Sequence, residues 1–144
     1  MTRIERATPD VLSSVEALLT ACGLPRDGAT AAFASGVVAR DGAVIVGAAA
    51  VERYGAAGLL RSVAVDPGHR GTGVGRALVA AAEVLARDDG VRDLFLLTET
   101  ASGWFPRLGY ATVPRDEAAA AVGASVEFRT ACGVTAVAMR KALA

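Results

Sequence analysis

Cysteine, histidine, lysine and aromatic side chains are all scarce in this chain of 144 residues. It has two Cys, one His, one Lys, one Trp, two Tyr and four Phe. Two cysteines, Cys22 and Cys132, cannot make a disulfide framework, and they read as small core residues rather than nucleophiles. The single histidine, His69, sits in a turn and reads as a loop residue rather than a catalyst. Excess charge of either sign is also missing, because 15 basic residues balance 15 acidic ones. Duplex nucleic acid and anionic membranes both require a cationic field, so neither is expected as the main partner. The longest strongly apolar run, Ala43 to Val51, is broken by Gly47 and falls far short of the ~20 residues that span a bilayer. The segment Met1 to Glu5 has no apolar stretch of the kind a secretory signal needs. A soluble, cytoplasmic chain is therefore the expectation. No repeat and no Pro-, Gly- or Ser-rich linker divides the chain, so a single domain over 1–144 is expected. Hydrophobic residues still make up 53%. Many are alanines, which implies a core built on close backbone approach rather than on bulky rings.

What is present alternates between strand and helix signals. Thr2 to Ala7 reads as a short first strand. Thr8 can cap and Pro9 can open a helix carrying Leu12, Val15, Leu18 and Leu19, which Cys22-Gly23-Leu24-Pro25 stops. Asp27 to Ala34 suits a second, short helix. Gly36–Arg40 and Ala43–Tyr54, joined by Asp41-Gly42, form a hairpin pattern. Leu59 to Val65 is the next strand. A helix with Val74, Leu78, Ala82 and Leu85 on one face follows and closes at Asp88-Asp89-Gly90. Asp93–Thr98 is a strand. Ala101–Leu108 is a short helix stopped by Gly109. Glu117–Val122 reads as helical and Gly133–Arg140 as a last strand. The pattern gives an α/β domain with a mixed sheet.

The chemistry is concentrated in Val63-Ala64-Val65-Asp66-Pro67-Gly68-His69-Arg70-Gly71-Thr72-Gly73-Val74-Gly75-Arg76. A strand runs into a glycine-rich turn, and the turn opens a helix. Such a turn leaves backbone N–H groups pointing one way and, with the helix dipole, makes a phosphate site. A Walker loop is excluded, because Gly75-Arg76-Ala77 stands where Gly-Lys-Ser/Thr is needed. A dinucleotide fingerprint fits poorly, because Arg76 stands where the third glycine belongs. The pattern that matches is R/Q-x-x-G-x-G/A, as Arg70-Gly71-Thr72-Gly73-Val74-Gly75. It is the acyl-CoA pyrophosphate loop of the GNAT acetyltransferase superfamily, which the chain resembles. Leu94–Thr98 and Trp104-Phe105-Pro106-Arg107-Leu108-Gly109-Tyr110 resemble the family's later strand and the segment that follows it. The implied fold is a mixed, mostly antiparallel sheet with a splayed parallel pair and helices on both faces.

The resemblance implies acetyl-CoA as co-substrate, no metal, and direct N-acetyl transfer to a small-molecule amine. It implies that the backbone of Val63, Ala64 and Val65 pairs with the pantetheine arm, and that Gly71, Thr72, Gly73, Val74, Gly75 and Arg76 hold the diphosphate. Arg70 and Arg76 can add charge-assisted bonds to it. Glu52 is the first choice of base, because a carboxylate at the end of an apolar strand should be desolvated and its pKa raised. Glu99 is second. In many family members a Tyr protonates the departing thiolate, and Phe105 stands at that position. Tyr54, Ser102 or Tyr110 can serve instead, or the thiolate takes its proton from solvent. Arg61, with Ser62 and Thr98, is a candidate substrate contact, and strand alternation places Arg61 on the side of Val63 and Val65. The plainer reading of Arg61 is a salt bridge to Glu52.

Glu52-Arg53-Tyr54-Gly55, Leu59-Leu60-Arg61-Ser62, Leu96–Ala101 and Ser125-Val126-Glu127-Phe128 with Cys132 resemble the small N-acetyltransferases found with arsenic-resistance genes. Leu97–Thr100 leading to Trp104-Phe105 also resembles N-acetylglutamate-synthase-like members. The implied acceptor is a small amine, such as a zwitterion or an organoarsenical amino acid. A monomer or homodimer is expected. The alternative is an acyl-CoA-binding sensor without turnover, which Phe105 favours.

Overall fold

The computed structural model describes residues 2–24, 26–125, 128 and 136–143. Seven strands form one sheet in the order β1-β2-β3-β4-β5-β7-β6. They are β1 (Thr2–Arg6), β2 (Gly36–Asp41), β3 (Val44–Tyr54), β4 (Ala57–Val65), β5 (Asp93–Thr98), β6 (Ala111–Thr112) and β7 (Val137–Ala142). The helices are α1 (Leu12–Ala21), α2 (Ala29–Ala32), α3 (Val74–Asp88) and α4 (Arg115–Val122). All neighbouring strands are antiparallel except β4 and β5, which run parallel. The expected α/β fold with one parallel pair is the fold observed.

Helices cover both faces. On one, Val74, Leu78, Val79 and Ala82 of α3 pack against Val37, Ala49, Val51 and Leu60 of the sheet. Buried positions four residues apart are those the helical period places on one stripe. On the other face, Val15, Leu18 and Leu19 of α1 pack on Val38, Ala48, Ala50 and Ala64. Ala118 and Val122 of α4 cover Leu59, Phe95 and Ala138 on that same face. The inner strand positions of β3 are Ala48, Ala49 and Ala50, all fully buried. Alanine there lets helices lie close on both sides, as the composition implies.

Local details differ from expectation. Thr8 makes no side-chain cap; its hydroxyl donates to the Asp10 carboxylate instead. The β2–β3 turn is centred on Gly42 and Ala43, since Asp41 already pairs with Val44. Residues 101–108 are not one helix. Only Phe105–Leu108 are helical, as a 3-10 turn, because Pro106 supplies no N–H to extend it upstream. Gly109 ends that turn at positive φ, as expected. The last strand is Val137–Ala142, and the expected start at Gly133 lies outside the described residues, as does Cys132.

The departure that matters most lies in β4. Ala48 pairs with Ala64 but Ala50 pairs with Arg61, so two steps on β3 face three on β4. The extra residue makes a bulge, and Ser62 takes φ +57 within it. Alternation is inverted across it. Val63 and Val65 pack on the α3 side, whereas Arg61 falls on the opposite face with Leu59 and Ala64. The expected placement of Arg61 beside Val63 and Val65 is therefore corrected by the bulge.

Candidate active site

The parallel pair holds together for only three residues, Ala57, Gly58 and Leu59 against Asp93, Leu94 and Phe95. Beyond Leu59 the strands part and a cleft of about 830 Å³ opens between them. Leu60 to Val65 line one side, Leu96 to Ala101 the other, and the glycine-rich loop closes one end. Among the described residues, the edge of β4 facing the cleft has no strand partner there. The Val65 carbonyl lies on this edge, since it accepts from Arg70 Nε at 3.0 Å rather than from β3. N–H and C=O of one strand residue point the same way, and the residue two before repeats the direction. Val63 thus presents a backbone donor and acceptor to the cleft and Val65 its N–H, the Val65 carbonyl being engaged by Arg70 and Cys22. An extended amide-bearing chain can pair with this edge.

The loop is built for an anion. Gly71 and Gly73 stand at φ +77 and +87, where side-chain-bearing residues are strained. Gly73 precedes the first turn of α3, and Ala77 is the residue whose N–H reaches back to the Gly73 carbonyl at 3.1 Å. The amides of Val74, Gly75 and Arg76 thus have no carbonyl four residues back within the helix. A Cβ added at Gly71 or Gly73 would enter open space, so positive φ rather than crowding is what calls for glycine at both. Gly75 has another task. A Cβ there would meet the Trp104 ring at 3.2 Å, so its absence seats the indole against the helix. Val74 contributes only backbone, its side chain being buried in the core.

Side chains fix the loop from behind. The Thr72 hydroxyl donates to the His69 carbonyl at 2.5 Å. Asp66 accepts from the Gly68 N–H at 3.1 Å. His69 lies between two carboxylates, with Nε2 2.9 Å from Asp41 and Nδ1 3.2 Å from Asp66. Asp41, then Asp66, hold the imidazole above its ordinary pKa. The same contact with His69 lowers Asp41. His69 is thus a loop residue in place and a staple in function, tying the loop to the β2–β3 hairpin. Arg70 turns back. Besides its bond to Val65, it donates to Cys22 Sγ at 3.6 Å, and the thiol itself reaches the Val65 carbonyl at 3.7 Å. Cys22 is half-buried against the α1 cluster and also lines the cleft.

The candidate acid–base residues divide. The Glu52 carboxylate accepts from Tyr54 at 2.6 Å and from Arg61 at 2.9 Å. Burial pushes its pKa up, but bonds from Ser125, Tyr54 and Arg61 outweigh this and hold it below the usual carboxylate range. The expected upward shift is therefore corrected: desolvation comes with donors on both oxygens. The salt bridge to Arg61 is the plainer of the two expected arrangements. Arg61 is 2% exposed and also donates from Nε to Ser62 Oγ at 3.0 Å. Arg61, Ser62, Thr98 and Glu99 line the cleft. The Thr98 hydroxyl accepts from the Ala101 N–H at 2.9 Å, closing the turn after β5. Glu99 is exposed.

Of the alternative proton donors, Tyr110 is turned away. Its hydroxyl donates to Glu83 at 2.8 Å, and burial with that carboxylate raises its pKa strongly. Burial, then Glu52, also raises Tyr54. Neither tyrosine, nor Ser102, is among the described residues that line the cleft, whereas Phe105 is. Sequence reasoning gave no role to Trp104, which lines the cleft and meets Phe105 edge-on with ring centroids 4.8 Å apart. Its signal was there: a lone Trp just after a strand end. Arg107 and the Cys22–Leu24 wall carried no comparable mark.

Comparison with known proteins agrees with this geometry. Residues 33–112 match the family model described as an acetyltransferase (GNAT) domain. An uncharacterized N-acetyltransferase of Chlorobaculum tepidum is 40% identical over 57 residues, 40% of this chain and 36% of that protein. N-acetylglutamate synthase of Neisseria gonorrhoeae, solved with coenzyme A and N-acetyl-glutamate, superposes with TM-score 0.85 at 22% identity, covering 100% of this chain and 35% of that one. The Rv2747 protein of Mycobacterium tuberculosis, solved with CoA and a second ligand, gives TM-score 0.79 at 22% identity and covers 99% of both chains. A GNAT-family acetyltransferase of Staphylococcus aureus gives 0.81 at 12% identity over 100% of both. This chain thus spans about a third of the Chlorobaculum and Neisseria proteins it matches.

Proposed function

The chain belongs to the GNAT acetyltransferase family, and from that premise we propose that it moves the acetyl group of acetyl-CoA onto the amine of a small molecule. The observation that carries the reading is the parting of β4 and β5 after three paired residues, with the free edge of β4 leading to the glycine loop. The residues fit the co-substrate. The diphosphate takes the amides of Gly71 to Arg76, the pantetheine amides pair along Val63–Val65, and the thioester comes to rest near the bulge at Ser62. Residues 1–144 act as one catalytic unit.

The reaction is a direct transfer. The amine nitrogen bonds to the acetyl carbonyl carbon, the carbon–sulfur bond breaks, and the amide and free coenzyme A leave. The proton lost by the amine goes, directly or through water, to a carboxylate. Glu99 suits this task better than Glu52 by position, because it lines the cleft and Glu52 is not among the described residues that do. Glu52 instead fixes Arg61, and through it the bulge. With Phe105 at the cleft wall, the leaving thiolate takes its proton from solvent; a thiol is far more acidic than an alcohol, which makes the thiolate a tolerable leaving group.

The acceptor we propose is a small zwitterionic amine. The likeness of residues 52–55, 59–62 and 96–101 to arsenic-resistance-associated members, and the N-acetyl-glutamate in the Neisseria structure, support that class. A second reading, a sensor that binds acyl-CoA without turnover, is favoured by Phe105 alone. Thiol release from acetyl-CoA across a panel of amino acids, polyamines and organoarsenical amino acids separates the two. Release that depends on one amine class is expected. Binding of coenzyme A with no release across the panel would leave the sensor.

A further inference from the structure

Two arginine side chains stand at the far side of the loop. Arg107 has no role in the reading above, and Arg76, expected at the diphosphate, gives it a backbone amide but has its guanidinium unassigned. Arg76 lies in the first turn of α3, and Arg107 in the 3-10 turn after Trp104. Both line the main cleft, and both also line a second cavity of about 190 Å³. They therefore stand at the boundary between the two. The seam is defined by Trp104, three residues before Arg107, packed on Gly75, the residue before Arg76. The two residues thus adjoin one joint from different elements. Both residues are exposed. Among the described residues neither guanidinium has a hydrogen bond or ion pair.

The second cavity is cationic in balance. Arg76, Arg107 and Lys141 face a single carboxylate, Glu83. Glu83 is already satisfied, by Lys141 at 3.0 Å and by the Tyr110 hydroxyl at 2.8 Å. The uncompensated charge is therefore that of the two arginines, and it calls for an anion. If the loop amides take the diphosphate, the remaining anionic group of the same ligand is the phosphate on its adenosine ribose.

We propose that Arg76 and Arg107 clamp the 3′-phosphate of coenzyme A, and that this chain selects coenzyme A over its 3′-dephospho form. The inference rests on the proposed function, and the test keeps the two apart. Calorimetry on the full chain compares coenzyme A with 3′-dephospho-coenzyme A, in the wild type and in Arg107→Ala, Arg107→Lys and Arg76→Ala. The wild type should bind coenzyme A about tenfold more tightly or better, as expected of a charge-assisted contact at an exposed site. Arg107→Ala should lose most of that preference while its affinity for the dephospho form stays within about twofold. Arg107→Lys should keep part of the preference, and added salt should shrink it. Arg76→Ala should weaken coenzyme A more than the dephospho form. Circular dichroism checks that each variant folds. Equal affinity of the wild type for the two ligands, or an equal loss for both in Arg107→Ala, overturns the clamp and leaves the acetyltransferase reading standing. Failure of the wild type to bind either ligand overturns both.

Discussion

Arg61 carries a charge with none of its side chain exposed, and its partner Glu52 has 13% exposed. Such a pair is costly to desolvate and costlier to break, since removing one member strands the other. The two losses are unequal here. Glu52 keeps the Tyr54 hydroxyl and Ser125 as donors when Arg61 goes. Arg61, deeper in the sheet, keeps Ser62 Oγ but loses the Glu52 carboxylate when Glu52 goes. Glu52→Ala should therefore cost about 3 kcal/mol or more, and Arg61→Leu less. The double variant should be more stable than the sum of the two predicts, by about 1–3 kcal/mol. Urea unfolding of the four proteins checks this; additivity within about 0.5 kcal/mol would show that the pair does not act as a unit. The pairing was legible as one of two options, because Glu52 and Arg61 sit on adjacent strands of a hairpin. The face they share was not, because a bulge appears in pairing register rather than in residue type.

The loop between β4 and α3 behaves as an element with its own fastening. His69 joins Asp66, inside the loop, to Asp41 at the end of β2. Its raised pKa sets the sign of a pH effect. A base held above its unfolded value of about 6.5 contributes fully below that pH and loses the contribution as pH rises through the folded value. The carboxylates must also be ionised, which holds from about pH 5 upward. His69→Gln should thus lower the melting temperature most near pH 6, and the gap to wild type should narrow toward pH 9. A gap that is constant over this range would remove the staple. The loop itself was readable in advance, since a turn that needs positive φ at Gly71 and Gly73 advertises itself by glycine. The segment after β5 was not. Pro106 confines helix to a 3-10 turn over Phe105–Leu108, in a stretch whose apolar spacing alone suggested a helix over 101–108.

At the scale of the whole molecule, one sheet is made to do two things. It is continuous from β1 to β6 through the alanine-rich centre, and it is pulled open where β4 and β5 separate. The same architecture recurs in proteins 12 to 22% identical to this one, so it tolerates nearly complete exchange of side chains. Element order and the loop motif made the fold readable. The acceptor was less so, because what pointed to it was resemblance rather than a residue spacing that its chemistry requires. The central claim is that the open edge of β4 and the glycine loop together hold coenzyme A. Titration calorimetry of the full chain with coenzyme A tests it, with Gly73→Val as the companion, because a branched side chain is strained at φ +87. The account predicts saturable binding at one site in the wild type and at least a tenfold loss in the variant. No saturable heat in the folded wild type, or undiminished affinity in Gly73→Val, would contradict it.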